Sequence, residues 1–584
     1  MPDAADIATY RTRPIHLFPE LGVQSGFDSL AAALAALLVE AGPAPCVAID
    51  GFAGLEWGPF TEALQAAAVC AGVTGRWLST APCFLPPAAI DRLLAPALTA
   101  DPVFGRLHRG HLEELWEHEA VEVLRREVAD AEAAGETVIV HGYGASLLVR
   151  GMVRVYVDVP KDRGQQRAAN GLVANVGAPA PGLTGATYKR LYFVDWPMLN
   201  RIKRAMLPDL DLFVDGSDTD TPCFVAGDAF RAALHALARQ PFRVKPWFAP
   251  GPWGGQWMKE QFGLPPEQPN YAWSFELIAP ENGILLGDGV ATLECSFDHL
   301  LWQEADAVLG PLVTARYGSY FPIRFDYLDT MGGGNLSCQV HPRLDYIRDE
   351  FGEPITQDES YYIVACEPGA RVFQGLRDDA DPAQFEADAT AARDRSIPFD
   401  IERHVASLPS RPHDLYLIPS GTVHCSGSGN LVLEISATPY IYTFKVYDYL
   451  RGDLQGKRRH VHLDRAFANL DSARTASWVR ERLSTRPDLL REGTGWAEYR
   501  LGHTDLLFFA IHRLEFDSEI DDRTEGRFVA LNLVEGERCQ ILTEGSDPVE
   551  LRFAESIVIP ASVGNYTLRN IGAVPCKAVK AFVK

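Results

Sequence analysis

Two potential metal ligands, Gln339 and His341, stand two residues apart in the run 336–342. Because residues i and i+2 of an extended strand point to the same face, the two side chains can meet one metal ion. Glu359 and His424 follow further along the chain. Two imidazoles, a carboxylate and an amide oxygen suit Zn²⁺, with Mn²⁺, Fe²⁺ or Co²⁺ as substitutes, and can leave a position open for substrate.

The segment that carries these four residues, 241–462, consists of short aromatic and β-branched runs separated by Gly, Pro and Asp. This texture predicts an all-β metal-binding domain, a jelly roll or barrel. In such a fold, strands that are distant in sequence lie side by side, so the gaps between the ligands are compatible with one site. Taken singly, each residue is more often an ordinary core or surface side chain, and spacing alone does not establish the site.

The remaining domains are predicted from length and texture. A chain of 584 residues is too long for one hydrophobic core. Residues 1–240 alternate strand-like and helix-like runs, which predicts an α/β layered domain with a largely parallel sheet. Residues 463–500 are rich in helix formers and predict a helical connector, and residues 501–584 predict a second barrel without a metal site.

A strand, a glycine-rich turn and a helix follow one another over residues 46–71, the layout of a phosphate-binding loop. However, Glu56 stands where the second structural glycine belongs, and Trp57 stands where the lysine belongs. A carboxylate at that place repels phosphate. The segment resembles a small-molecule kinase of the uridine-kinase or shikimate-kinase type with a degenerate loop, on the strength of these residues: Ile49, Asp50, Gly51, His141, Gly142, Asp158, Arg163 and Arg167. The resemblance implies a structural, regulatory or ligand-sensing role.

Charge and cysteine usage restrict the partners. The net charge of -23 disfavours binding to nucleic acid or to an anionic membrane, because both are polyanions. Ten cysteines without a Cys-x-x-Cys pair indicate free thiols in a reducing compartment. With no signal-like start and no apolar run of about 18 residues, the sequence predicts a cytoplasmic protein that does not span a membrane.

The order of several motifs identifies a family resemblance in the second part of the chain. They are the run 336–342, Glu359 with the following Tyr361-Tyr362-Ile363, Glu367-Pro368-Gly369-Ala370, the run 418–424, and Val446-Tyr447-Asp448-Tyr449. In this order they resemble the type I mannose-6-phosphate isomerases, a cupin family, from about residue 253 to the C-terminus. The resemblance implies one Zn²⁺ held by Gln339, His341, Glu359 and His424, and interconversion of mannose 6-phosphate and fructose 6-phosphate through an enediolate.

Two positions depart from the family pattern. Gln357 replaces a lysine two residues before the metal-binding glutamate, and Lys445 replaces an arginine before Val-Tyr-Asp. Lysine keeps the charge but loses the planar fork, so Lys445 can stabilise an oxyanion or a phosphate only as a point charge. The family pattern places Arg451 near the site, where it can hold the substrate phosphate. The general base stays open between Glu434, Asp448 and a metal-bound water.

Two alternative functions follow from the same residues. The departures at Gln357 and Lys445 fit a catalytically weak, metal-binding sensor of sugar phosphates. A cupin iron oxygenase is a third hypothesis, but such enzymes usually present His-x-His, and Gln339-x-His341 argues against it.

Overall fold

The computed structural model describes residues 10–149, 153–178, 185–279, 281–437, 439, 442–483 and 485–584. The chain forms two compact units. One unit, called here the α/β unit, contains residues 14–237 and 280–304, and the other, the β unit, contains residues 1–13, 238–279 and 305–584. Residues 280–304 lie inside the predicted domain 241–462, yet they pack within the α/β unit.

The α/β unit is built on a seven-stranded sheet. Its strands are, in spatial order, Gln24–Ser25, Cys223–Ala226, Leu212–Asp215, Val153–Asp158, Cys46–Gly51, Val138–His141 and Arg76–Ser79. The last five strands are parallel to one another, as the sequence predicts. Cys223–Ala226 is antiparallel to both of its neighbours, Gln24–Ser25 and Leu212–Asp215. All six residues of Cys46–Gly51 are buried, because helices cover both faces of a parallel sheet.

Helices and a small second sheet complete the α/β unit. The helices are Phe27–Ala41, Trp57–Cys70, Pro87–Leu98, His118–Ala133, Ala145–Leu148, Lys161–Ala169, Gly185–Arg190, Trp196–Met206 and Gly227–Leu237. Ile15–Leu17, Gly283–Gly287 and Thr292–Ser296 form the small sheet, and the kinked helix Phe297–Leu309 follows. Lys203 is buried and donates to Asp158 and to Ser296, so an ionic cluster ties residues 280–304 to the rest of this unit.

The β unit contains two sheets around the predicted ligands. The first has six strands, in the order Leu415–Ile418, Asp358–Cys366, Asn430–Ala437, Arg324–Asp329, Trp273–Leu277 and Trp247–Ala249. The second has five, in the order Val405–Pro409, Arg371–Leu376, His424–Ser426, Cys338–Val340 and Phe444–Tyr447. Ligand residues from both sheets approach one another, so these sheets face each other across a common interior.

The prediction that residues 241–462 are all β is wrong, because helices connect the strands. They are Trp257–Gln261, Pro311–Tyr317, Leu344–Phe351 and Pro382–Arg395, besides the kinked helix at 297–309. The helix Pro382–Arg395 has local causes. Asp381 accepts a hydrogen bond from the backbone of Ala383, and proline occupies the first helical position.

The C-terminal part of the β unit is a second two-sheet sandwich. One sheet is Asp488–Gly493, Trp496–Arg500, Phe509–Phe516, Cys576–Val583, Val529–Glu535 and Ser556–Ile559. The other is Glu519–Arg523, Asn565–Asn570, Arg538–Thr543 and Val549–Arg552. Apolar side chains from both sheets, including Leu514 and Ile541, share one core.

The predicted helical connector at 463–500 needs a correction. Leu463–Asn469 and Ala476–Arg482 are helices, but Asp488–Gly493 and Trp496–Arg500 form a hairpin that joins the sandwich. The hairpin forms because Trp496 packs against the apolar core of the sandwich, and this tertiary contact overrides helix propensity. None of the helices within the described ranges is long and apolar enough to cross a membrane.

Candidate metal centre

Strand pairing in the five-stranded sheet places three candidate residues in one row. Gln339 pairs with His424 on one side and with Lys445 on the other. Directly paired residues of neighbouring strands point to the same face, so all three side chains face the same interior. His341 follows Gln339 by two positions and shares that face.

Glu359 reaches the same point from the opposite, six-stranded sheet. Its Oε2 lies 2.9 Å from Nε2 of His341, and its Oε1 lies 2.6 Å from Nε2 of His424. The ligand atoms of His341, Glu359 and His424 all lie within 4.8 Å of one another. These three residues have no measurable exposure, and Gln339 is also buried. The fold thus brings together the four residues that the sequence singles out.

The donor set fits a divalent metal ion. Nε2 of His341 and Oε1 of Glu359 are buried and make no well-directed hydrogen bond among the described residues, although each lies close to another atom of the candidate ligand set. Buried polar atoms that lack a partner are costly, and a cation at the point where they converge removes that cost. This observation makes His341, Glu359 and His424 suitable to hold a metal.

Backbone carbonyls orient both imidazoles toward that point. Nδ1 of His341 lies 3.1 Å from the carbonyl oxygen of Tyr442, and Nδ1 of His424 lies 2.8 Å from that of Thr422. A carbonyl accepts only from a protonated nitrogen, so each Nε2 is left as the atom with a free lone pair. This arrangement is usual behind metal-binding histidines.

Amide side chains complete the immediate surroundings. The Nε2 of Gln339 lies 3.2 Å from Nε2 of His424, and a half-turn of this amide brings its oxygen into the ligand position. Gln357 donates from its amide to Oε2 of Glu359 at 3.1 Å. Gln357 therefore holds the carboxylate without adding a positive charge. A lysine at that position would add one.

Lys445 lies beside Gln339 in the row of interior side chains, and Arg451 lies near it. Arg451 donates to Asp448 at 2.6 Å, and Arg459 lies 2.7 Å from the other oxygen of Asp448. Tyr449 and Leu450 both have positive φ, which turns the chain sharply between Asp448 and Arg451. The pKa of Lys445 is lowered to about 8. Burial is the main cause, the charges of Arg459 and Arg451 add to it, and the charge of Asp448 acts in the opposite direction.

Two interior residues that the sequence analysis did not single out as site residues, Tyr361 and Asp326, lie next to this centre together with the candidate base Glu434. Tyr361 pairs with Glu434, and Glu434 pairs with Asp326, so the three form a row adjacent to Glu359 on the inner face. Burial raises the pKa of Asp326 to about 7 and raises that of Glu434, with Asp326 adding to the effect on Glu434. Charged Arg324 and Asp326 alternate with apolar residues, and this pattern in the sequence could have indicated a strand with one polar face.

The structure separates the candidate bases. Both oxygens of Asp448 face arginine side chains, so Asp448 acts as an anion that positions cations. Glu434 is buried on the inner face close to the metal ligands and carries a raised pKa, as a group that both takes and returns a proton requires.

An arginine contacts the degenerate phosphate loop of the α/β unit. Arg167 donates to the backbone carbonyls of Gly54, Gly216 and Ser217 and lies 3.2 Å from Glu56. Arg167 therefore ties the loop to the neighbouring segment 216–217.

Comparisons with known proteins divide the chain in two. A family model described as a domain of unknown function (DUF8485) matches residues 26–239. Mannose-6-phosphate isomerase ManA of Bacillus subtilis (strain 168) is 24% identical over 342 residues, which are 57% of this chain and 96% of that protein. The mannose-6-phosphate isomerase of Streptococcus mutans is 22% identical over 320 residues, 54% of this chain and 90% of that protein.

Among solved structures, the mannose 6-phosphate isomerase from Bacillus subtilis covers 59% of this chain and 99% of its own, with 19% identity and a TM-score of 0.48. The sequence comparisons show homology to mannose-6-phosphate isomerases over about 57% of the chain, in its C-terminal part. The family model for residues 26–239 carries no function and leaves the kinase resemblance untested.

Proposed function

We propose that this protein is a metal-dependent aldose–ketose isomerase that interconverts mannose 6-phosphate and fructose 6-phosphate. The observation that carries the proposal is the buried convergence of His341, Glu359 and His424 beside the cation of Lys445. The homology of the C-terminal part to mannose-6-phosphate isomerases supports the choice of reaction.

In this proposal Gln339, His341, Glu359 and His424 hold one Zn²⁺. The mixed nitrogen and oxygen donors suit zinc, and other divalent transition metals are possible substitutes. When bound, the ion supplies Lewis-acid stabilisation of the negative charge that develops on the two oxygens of an enediolate.

The chain's own residues then divide the remaining work. Glu434 takes the proton from the carbon next to the carbonyl and returns it to the former carbonyl carbon, while the proton of the adjacent hydroxyl passes to the former carbonyl oxygen. Lys445 faces the same interior and stabilises the developing oxyanion as a point charge. Arg451 and Arg459 share one carboxylate, that of Asp448, so this corner keeps excess positive charge for the substrate phosphate.

A coupled assay that follows the formation of fructose 6-phosphate from mannose 6-phosphate tests the reaction. The metal-loaded protein should turn over substrate, a chelator should abolish turnover, and added Zn²⁺ should restore it. Turnover that is unchanged after complete metal removal contradicts the proposed role of the site.

The sensor hypothesis keeps support from Gln357, which supplies no cation next to Glu359. It differs from the isomerase in one outcome, because a sensor binds mannose 6-phosphate without converting it. Equilibrium binding measured together with the coupled assay separates the two functions.

For the α/β unit, we propose a degenerate small-molecule kinase fold that has lost phosphate transfer. The lack of a lysine at Trp57 and the contact of Arg167 with Gly54 and Glu56 support this proposal. Transfer of phosphate from ATP by the full chain in the presence of Mg²⁺ would contradict it.

A further inference from the structure

The interior of the C-terminal sandwich changes character along its length. At one end the inward side chains are apolar, as at Leu514, Ile520 and Ala578. A shift of two residues along a strand stays on the same face, and two residues away from these apolar positions the inward side chains are ionisable. They are His512 on Phe509–Phe516, Asp522 on Glu519–Arg523, Lys580 on Cys576–Val583 and Glu498 on Trp496–Arg500.

These ionisable side chains form one connected cluster. Lys580 lies 2.8 Å from both Asp522 and Glu498. Nδ1 of His512 lies 2.7 Å from Glu498, and Arg491 contacts both carboxylates. Burial alone would raise the pKa of Glu498, but the hydrogen bond with His512 and the charge of Lys580 hold it well below its ordinary value.

Such a cluster is not needed to stabilise the sandwich. Buried ion pairs are often no more stabilising than well-packed apolar residues of similar volume, because each charge loses its hydration. The other half of this same core is filled with apolar side chains. The presence of ionisable instead of apolar inward side chains on four strands therefore indicates a role other than packing.

A cavity of about 430 Å³ opens at this cluster. Glu498, His512, Asp522 and Lys580 line it, and Asn565 and Phe582 lie among the other lining residues. The volume falls within the range of about 300–1,000 Å³ that is typical of small-molecule sites.

The charges of the cavity are balanced. Its lining includes the basic residues Arg491, Arg523, Arg527 and Lys580 and the acidic residues Glu498, Asp521, Asp522 and Glu525. Each of the four basic side chains lies within 3.2 Å of a carboxylate. Because each cation already faces a carboxylate, a phosphate would meet nearby negative charge, whereas a hydroxyl group both donates to a carboxylate and accepts from a cation.

We infer that this cavity is a second binding site and that it takes an uncharged polyhydroxylated molecule, such as a monosaccharide or a cyclic polyol. The site lies in the C-terminal sandwich and uses none of the metal-centre residues. It goes beyond the proposed isomerase reaction and does not depend on it.

Saturation-transfer NMR with myo-inositol tests the inference, because this cyclic polyol is uncharged and has no carbonyl group to isomerise. The His341→Ala variant of the full chain serves as the protein, so that the metal centre does not contribute. Myo-inositol should receive saturation at millimolar concentration, and D-mannose should compete with it. Mannose 6-phosphate should compete at least about tenfold more weakly, because the carboxylates beside each cation repel its phosphate.

Variants at the cavity sharpen the test. Asn565 is exposed at the cavity, so Asn565→Trp should block entry and abolish the signal without lowering the melting temperature. Asp547→Trp, at an exposed turn of the same sandwich away from the lining, should leave the signal unchanged. Glu498→Gln should weaken binding by about tenfold through the loss of one buried charge-assisted hydrogen bond.

Three outcomes would overturn the inference. They are the absence of saturation transfer to myo-inositol, an unchanged signal in Asn565→Trp, and equal competition by mannose 6-phosphate. Because His341→Ala already removes the metal centre, failure of the isomerase proposal leaves the expected results unchanged.

Discussion

At the scale of single residues, Glu359 bridges the two buried histidines of the candidate metal centre. Its two oxygens lie 2.9 and 2.6 Å from the imidazoles of His341 and His424. Glu359→Gln keeps the shape but removes the negative charge. We expect metal affinity to fall by about 100-fold and turnover to fall with it. Metal content measured by mass spectrometry checks this, with the exposed Glu402→Gln as the control that should keep its metal. Full metal content in Glu359→Gln would remove this residue from the ligand set.

Lys445 makes the proposed reaction dependent on pH. Its pKa is lowered to about 8, so the side chain loses its proton, and its charge, as the pH rises through 8. Activity should therefore fall on the alkaline side with a midpoint near pH 8. Lys445→Arg, which stays charged, should move this fall to higher pH, and Lys445→Met should remove it while lowering kcat at pH 7. A rate profile with the same alkaline limb in Lys445→Met would assign that limb to another group.

Sequence reasoning reached part of this site and missed the rest for physical reasons. The shared face of Gln339 and His341 follows from strand alternation alone. The approach of Glu359 and His424 depends on which strands pair, and this was available only through the family resemblance. Tyr361 and Asp326 were missed because their place beside Glu359 follows from the register across three strands.

At the scale of elements, the loop 52–56 of the α/β unit is held by the helix Lys161–Ala169. Gly54 and Gly164 approach so closely that a Cβ on Gly54 would lie 2.5 Å from Cα of Gly164, and Arg167 donates to the carbonyl of Gly54. Arg167→Ala should leave this carbonyl without that donor and accelerate hydrogen exchange in the loop by at least about tenfold. Arg163→Ala removes an exposed arginine from the same helix and is the matched control. Equal exchange in both variants would show that Arg167 does not hold the loop.

The elements themselves show where pattern reasoning succeeds. The buried strands of the α/β unit, such as Cys46–Gly51 and Leu212–Asp215, were predicted because continuous apolar runs between helices are typical of parallel sheets. The hairpin at 488–500 was predicted as helix, because Asp488–Gly493 is largely exposed at the edge of its sheet and the pairing of both strands depends on the sandwich. Local propensity carries little information about such strands.

At the scale of the whole molecule, the α/β unit takes residues 280–304 from the middle of the sequence that otherwise forms the β unit. Within the α/β unit, Lys161 is buried and donates to Asp298 at 2.9 Å, and Asp158 accepts from the backbone and the side chain of Ser296. A fragment of residues 14–237 lacks these partners and leaves Lys161 without its carboxylate. We expect this fragment to melt at a lower temperature and to bind a hydrophobic dye.

The matched control joins residues 14–237 to residues 280–304 through a flexible linker. This longer fragment should melt cooperatively at a higher temperature in circular dichroism. Identical melting curves for the two fragments would mean that residues 280–304 are dispensable for the α/β unit. Sequence reasoning placed these residues in the second domain, because nothing in a linear pattern reveals that a segment packs with a distant one.

The isomerase proposal is tested most directly by NMR of mannose 6-phosphate in deuterated water with the zinc-loaded protein at high concentration. The account predicts a chelator-sensitive appearance of fructose 6-phosphate and loss of the proton signal at C2 of mannose 6-phosphate through exchange with solvent, both absent in Glu359→Gln. An unchanged mannose 6-phosphate spectrum with the fully metal-loaded protein would contradict it.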